Sequence, residues 1–187
     1  MGEHRQIYGQ TLVAEPTVGR TRAKVETVFV GITGHQRLEN ASDWAWIENA
    51  IEAQLAPLAS GLVGISSLAE GADQVFARSV LGLGGRLIAV IPFSGIERSF
   101  SSQTALQGYR DLVRHAQVEV LPAIGSDEDC YFAAGRRVVE HSQLLFAVWN
   151  GKEARGKGGT GDIVKCAQSL GLPILHFNPL AHTISQI

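Results

Sequence analysis

The chain has 187 residues, 45% of them apolar and 18% charged, which suits one globular domain with a full core and excludes a disordered or fibrous chain. Its net charge of −2 and pI near 6.3 provide no overall cationic field of the kind that drives nucleic-acid binding by counterion release. No apolar run reaches the ~18 residues of a membrane span, and the opening Glu3, His4 and Arg5 lack a signal peptide's apolar core, so a cytoplasmic protein is expected.

Residues 1–24 are polar, carry Gly9, Pro16 and Gly19, and show no helical period, so they are expected to be an extension to a domain over 25–187; residues 10–14 could add a short edge strand. From Thr27 onward, short apolar runs alternate with longer segments of 3.6-residue period, the pattern of βαβ units and a parallel sheet. Residues 27–33 (TVFVGIT) are β-branched and nearly all apolar, as a strand covered on both faces must be. Residues 43–58 place Trp44, Ile47, Ile51, Leu55 and Leu58 on one stripe, with Ser42 or Asp43 as N-cap, and predict an amphipathic helix.

The alternation then repeats as strand 62–66, helix 72–81, a stop at Gly82, Gly84 and Gly85, and strand 86–91. A less regular helix over 103–115 precedes strand 118–121, helix 128–141 leads into strand 144–149, and helix 160–170 ends at Gly171 before strand 173–177. Six strands and five helices in this order predict an α/β, three-layer, doubly wound, mainly parallel Rossmann-like sheet. Cys130 and Cys166 fall in helical stretches without ligand spacing and are expected as buried thiols; no metal site and no resident cofactor are implied.

In such sheets a ligand sits beyond the carboxyl ends of the strands, where glycines let the backbone approach and helix N-termini offer N–H groups to anions. The first strand is followed by Gly31-Ile32-Thr33-Gly34-His35-Gln36-Arg37, in which Gly34, His35 and Arg37 suit a phosphate. The second leads through Ser67 and Glu70 to Gly71 and Asp73 at a helix entry; Asp73 either takes a ribose hydroxyl or complements the helix dipole. After the third, Phe93 either stacks on a base or anchors its loop.

The strongest local signal follows the fifth strand, where Lys152, Arg155 and Lys157 precede Gly158-Gly159-Thr160-Gly161-Asp162 at the start of the last helix. Glycines and a threonine at a helix start make an anion nest by the physics of a P-loop, though the G-x-x-x-x-G-K-[ST] spacing is absent. On the helix before the fifth strand, adjacent Arg136 and Arg137 cannot face the same way, so at most one reaches the site.

Together these segments resemble the SLOG superfamily of Rossmann-like proteins over about 27–178, a group that includes the DNA-processing protein A family and LOG-type phosphoribohydrolases. Ser66 to Asp73 and then Gly84 to Val90 are similar to the DNA-processing family's S-G-x-A-x-G-I-D and G-G-x-T-I-A-V-L, with Ser67 in place of the first glycine. Arg136 falls on the second arginine of that family's R-N-R-I-I, whereas Ala134 and Gly135 replace its Arg and Asn. Against the LOG motif P-G-G-x-G-T-x-x-E, alignment at Gly159-Thr160 puts Ile163 at the catalytic glutamate and Arg155 at the proline. The pattern is most similar to stand-alone, sensor-like members.

The resemblance implies binding of a nucleotide or nucleotide-derived phosphorylated molecule by Gly34, Arg37, Gly158, Gly159 and Thr160, with Asp73 and Asp162 on ribose hydroxyls and Arg136 neutralising charge. It leaves two other expectations: an N-glycosidase acting on a nucleoside monophosphate through Asp162, Asp73 or Glu70, and single-stranded DNA binding, which the acidic balance disfavours. Trp-bearing helix faces suggest a homo-oligomer.

Overall fold

The computed structural model describes residues 26–152 and 158–187. The expected extension over 1–24, its possible edge strand, and Arg155, Gly156 and Lys157 lie outside the described residues.

Among the described residues, seven strands form one sheet in the order β4-β3-β2-β1-β5-β6-β7. They are β1 (Val28–Gly34), β2 (Leu62–Ser66), β3 (Arg86–Ile91), β4 (Ala116–Val120), β5 (Leu144–Val148), β6 (Ile174–Asn178) and β7 (Thr183–Gln186). The helices are α1 (Asp43–Leu55), α2 (Ala72–Gly82), α3 (Gln103–Val113), α4 (Asp127–Glu140) and α5 (Thr160–Ser169). Every strand pair is parallel except β6 with β7, which run antiparallel. The expected three-layer, doubly wound architecture is present, and β7 is an addition to it.

The two faces follow from the alternation along each buried strand. On β5, Phe146 and Val148 join Ile47, Ile51 and Leu55 of α1 and Phe76 and Val80 of α2 in one core. Leu145 and Ala147 point the other way, to Ala134 and Val138 of α4 and Ile163 and Val164 of α5. A third cluster seats Tyr109 and Leu112 of α3 on Leu87, Ala89 and Ile91 of β3.

Several boundaries differ from the sequence expectation. The first helix stops at Leu55, and Ala56–Gly61 form a 3₁₀ segment with Pro57 near its start, because proline fits a first turn better than a helix end. The fourth strand begins two residues earlier than expected, at Ala116. Leu170 is the last cap residue and Gly171, at φ +67°, takes the left-handed position after it. Cys130 is buried, but Cys166 is only partly so. No described helix is long and apolar enough to cross a membrane.

The chain runs outward from β1 to β4 and then returns to place β5 on the other side of β1. The topological switch point therefore lies between β1 and β5, and the loops leaving these two strands diverge to opposite faces there.

Candidate functional site

A cleft of about 1020 Å³ opens over the carboxyl ends of the strands. Gly34, His35 and Arg37 at the end of β1 and just beyond it, and Gly158, Gly159 and Thr160 after β5, line this same cleft, although more than a hundred residues separate the two groups in sequence. The two loops are tied together across the switch point. The backbone N–H of Asn150 donates to His35 Nε2 at 3.1 Å, and the His35 N–H donates to the Val148 carbonyl at 3.0 Å. That nitrogen of His35 is thus an acceptor already engaged by the protein, and the ring acts as a strut between loops.

The α5 end of the cleft is a helix start built for close approach. Gly158 has φ +84°, and a Cβ there would come within 2.8 Å of the Phe132 backbone nitrogen on α4. Asp162, in the first turn of α5, accepts from the Gly158 N–H at 3.1 Å, which closes the loop onto the helix. Gly159, rather than Thr160, is the N-cap, with no side-chain cap bond. Among the described residues, no acceptor meets the N–H groups of Gly159, Thr160 or Gly161. Open amides at a helix N-terminus carry partial positive charge and draw anions.

The loop after β2 looks similar in sequence but is closed. The Asp73 carboxylate accepts from Ser66 Oγ at 3.0 Å and from the Ser67 N–H at 3.0 Å, and Ser66 Oγ itself accepts from the Leu68 N–H. Leu68 sits fully buried in the left-handed region, φ +57°, so successive amides curl around a carboxylate that this chain supplies. Burial pushes Asp73 up to about 6, against the pull of the Ser66 hydroxyl and the loop amides. Gly71 closes the same turn at φ +86°, and a Cβ on it would lie 2.5 Å from the carbonyl oxygens of His35 and Gln36.

Two expected residues stand elsewhere. Phe93 is 3% exposed, packs beside Tyr131 and carries the Arg98 guanidinium over its ring at 4.9 Å, so it anchors its loop and has no face left for a base. Arg136 is exposed and pairs with Glu140 one turn along α4. The residue before it, Gly135, faces Ile163 of α5 and lines the cleft, and a step of ~100° around the helix carries Arg136 away.

The cleft also gathers residues that the sequence did not single out. Tyr131 donates to Ser99 Oγ at 2.9 Å, and Arg37 donates to Ser101 Oγ at 2.8 Å, joining the loop after β3 to α4 and to the loop after β1. Lys152, one of the cations noted before the glycines, pairs with Glu39 at 3.1 Å. Of the described charges lining the cleft, Glu39, Asp43, Glu70, Asp73 and Glu128 stand against Arg37 and Lys152. Scattered serines, one tyrosine and acids on separate loops and helices carry no spacing signal, so only the fold assembles them.

No family model and no curated protein matches the chain. Among solved structures, DNA processing protein A from Streptococcus pneumoniae is similar over 80% of this chain and 50% of its own, with 18% identity and a TM-score of 0.58. DNA processing protein A from Helicobacter pylori, described for its single-stranded DNA binding mode, is similar over 80% of this chain and 64% of its own, at 19% identity and a TM-score of 0.56. The molybdenum cofactor binding protein from Rippkaea orientalis is similar over 81% of this chain and 76% of its own, at 14% identity and a TM-score of 0.52. This chain thus spans half to somewhat under two thirds of the two DNA processing proteins. The fold they share with it is the Rossmann-like fold that the SLOG resemblance implies.

Proposed function

We propose that this chain is a cytoplasmic SLOG-type module that binds a nucleotide or a nucleotide-derived phosphorylated ligand in the cleft at the β1/β5 switch point. One observation carries the reading: the three amides of Gly159, Thr160 and Gly161 open into a cleft shared with the glycine loop after β1, with Arg37 and Lys152 on its walls. A phosphate at the start of α5 takes those N–H groups and the helix dipole. The loop after β2 contributes shape rather than donors, because Asp73 already fills it. Asp162 is likewise engaged by Gly158, which favours a loop-forming role over a ribose contact or a catalytic one.

Solved relatives by fold include one that binds a molybdenum cofactor and one that binds single-stranded DNA. Five carboxylates against two cations along the described cleft favour a compact ligand that places its phosphate at one end over a polyanion that would meet every wall. The same balance keeps an N-glycosidase as the second reading, with Glu70, which lines the cleft, as the carboxylate to test.

Isothermal calorimetry with a panel of nucleoside mono-, di- and triphosphates and cyclic dinucleotides checks the proposal. At least one is expected to bind, and saturation at 100 times its Kd should stabilise the protein by about 2.7 kcal/mol. A panel without heat or thermal shift would refute it. Release of free base from the bound nucleotide would establish the second reading, and light scattering would decide whether the helix faces form a homo-oligomer.

A further inference from the structure

The turn between β6 and β7 is held more firmly than the core requires. All four residues of β7 are exposed, so the strand covers no apolar layer. Its turn is nevertheless fixed to α1 at two points. The His182 ring stacks on Trp46, with centroids 4.8 Å apart and planes 7° from parallel, and His182 Nε2 lies 3.2 Å from Asp43 Oδ1. Within the turn, Asn178 Oδ1 accepts from the N–H groups of Leu180 and Ala181. His182 holds φ +50°, a left-handed conformation that a residue with a Cβ adopts only when its surroundings compensate.

The consequence of this anchoring lies in the cleft, where the turn sets Pro179 and Leu180 on the wall. Leu180 remains 50% exposed there. The turn packs on α1, while α5 packs with α4 on the opposite face of the sheet, so Leu180 and the open amides of α5 approach the cleft from different sides. The aromatic rings of the same cleft already have ring partners: Phe100 lies against Tyr109, Tyr131 against Phe93, and Trp149 against His176. Of the exposed large apolar side chains among the described residues, Leu180 is the one that lines the cleft.

We infer that Leu180, positioned by the stack of His182 on Trp46, is the wall on which the base of the bound nucleotide rests. The inference depends on the nucleotide reading above and extends it to the part of the ligand that carries no phosphate. An aliphatic wall recognises a base by its face, since it offers no hydrogen bond to a base edge. Base preference is therefore expected to follow stacking area, purine above pyrimidine.

Calorimetry of the full chain with AMP and with ribose 5-phosphate, which has the same sugar and phosphate without the base, separates the two ideas. The unaltered protein should hold AMP more tightly. Leu180→Ala should weaken AMP about tenfold and ribose 5-phosphate by less than about twofold, while Leu180→Met should restore AMP binding. His182→Ala, which frees the turn, should lower the same AMP to ribose 5-phosphate ratio with little change in thermal midpoint. Equal losses for both probes, no loss for either, or an unaltered protein that binds both alike would overturn the subsite and leave the phosphate site standing. If the unaltered protein binds neither probe, the subsite falls before any substitution is made, and the nucleotide panel above decides the wider reading.

Discussion

The loops after β2 and β5 make an instructive pair. Each ends a buried parallel strand, each bears a glycine with φ above +80° just before a helix, and each helix has an aspartate in its first turn. In the first loop, Asp73 lies 6% exposed and takes the Ser66 hydroxyl and the Ser67 amide, so the cradle is filled by the chain itself. In the second, among the described residues, Asp162 takes the Gly158 amide and the next three N–H groups stay open to the cleft. A glycine-rich strand-to-helix turn is therefore an anion site only when its own aspartate does not complete it.

The contrast predicts where substitutions hurt the fold and where they hurt binding. Gly71→Ala should cost the most, at least ~3 kcal/mol in denaturant unfolding, because it adds a Cβ 2.5 Å from two backbone oxygens at a positive φ. Flexible side chains can give way, but those carbonyls belong to the β1 loop and cannot.

Asp73 should give the next effect, through pH. Between the ordinary aspartate value of 3.8 and about 6, the folded protein keeps a proton that the unfolded chain has released. Stability should fall as pH rises through that window, by an order of 2–3 kcal/mol, and level off above it. Asp73→Asn should flatten that segment of the stability curve; an unchanged slope would mean that the filled cradle is not what titrates.

The open loop should respond in the opposite manner. Thr160→Pro removes one N–H at the first helical position, where proline fits, and the preceding Gly159 already has extended backbone with ψ 169°. Its thermal midpoint should hardly move while nucleotide affinity drops about tenfold, the loss of one charge-assisted bond. If affinity is unchanged, the open amides are not the anion site. Arg136→Ala should have the smallest effect, since its exposed pair with Glu140 contributes no more than ~0.5 kcal/mol and it stands off the cleft.

Much of this was legible from one dimension. Alternating apolar periods located the six parallel strands, most clearly those covered on both faces, which have to be continuously apolar, as residues 144–148 are. The glycines at 34 and 159 pointed to one cleft because parallel βα units deliver every such turn to the same end of the sheet. The edge strand β7 was illegible for the converse reason: its four residues are all exposed, so no burial pattern marks them. Phe93 was ambiguous for lack of a neighbour, and Tyr131 with Arg98 supplied one from distant sequence.

The sequence by itself determined the order of elements and the end of the sheet at which ligand chemistry gathers, since both follow from local periodicity and chain direction. Only the tertiary structure decided which amides remain open, which arginine turns away, and which aliphatic side chain faces the cleft. Those outcomes depend on hydrogen-bond partners and helix phase set by residues far apart in the chain, and local sequence carries no record of them.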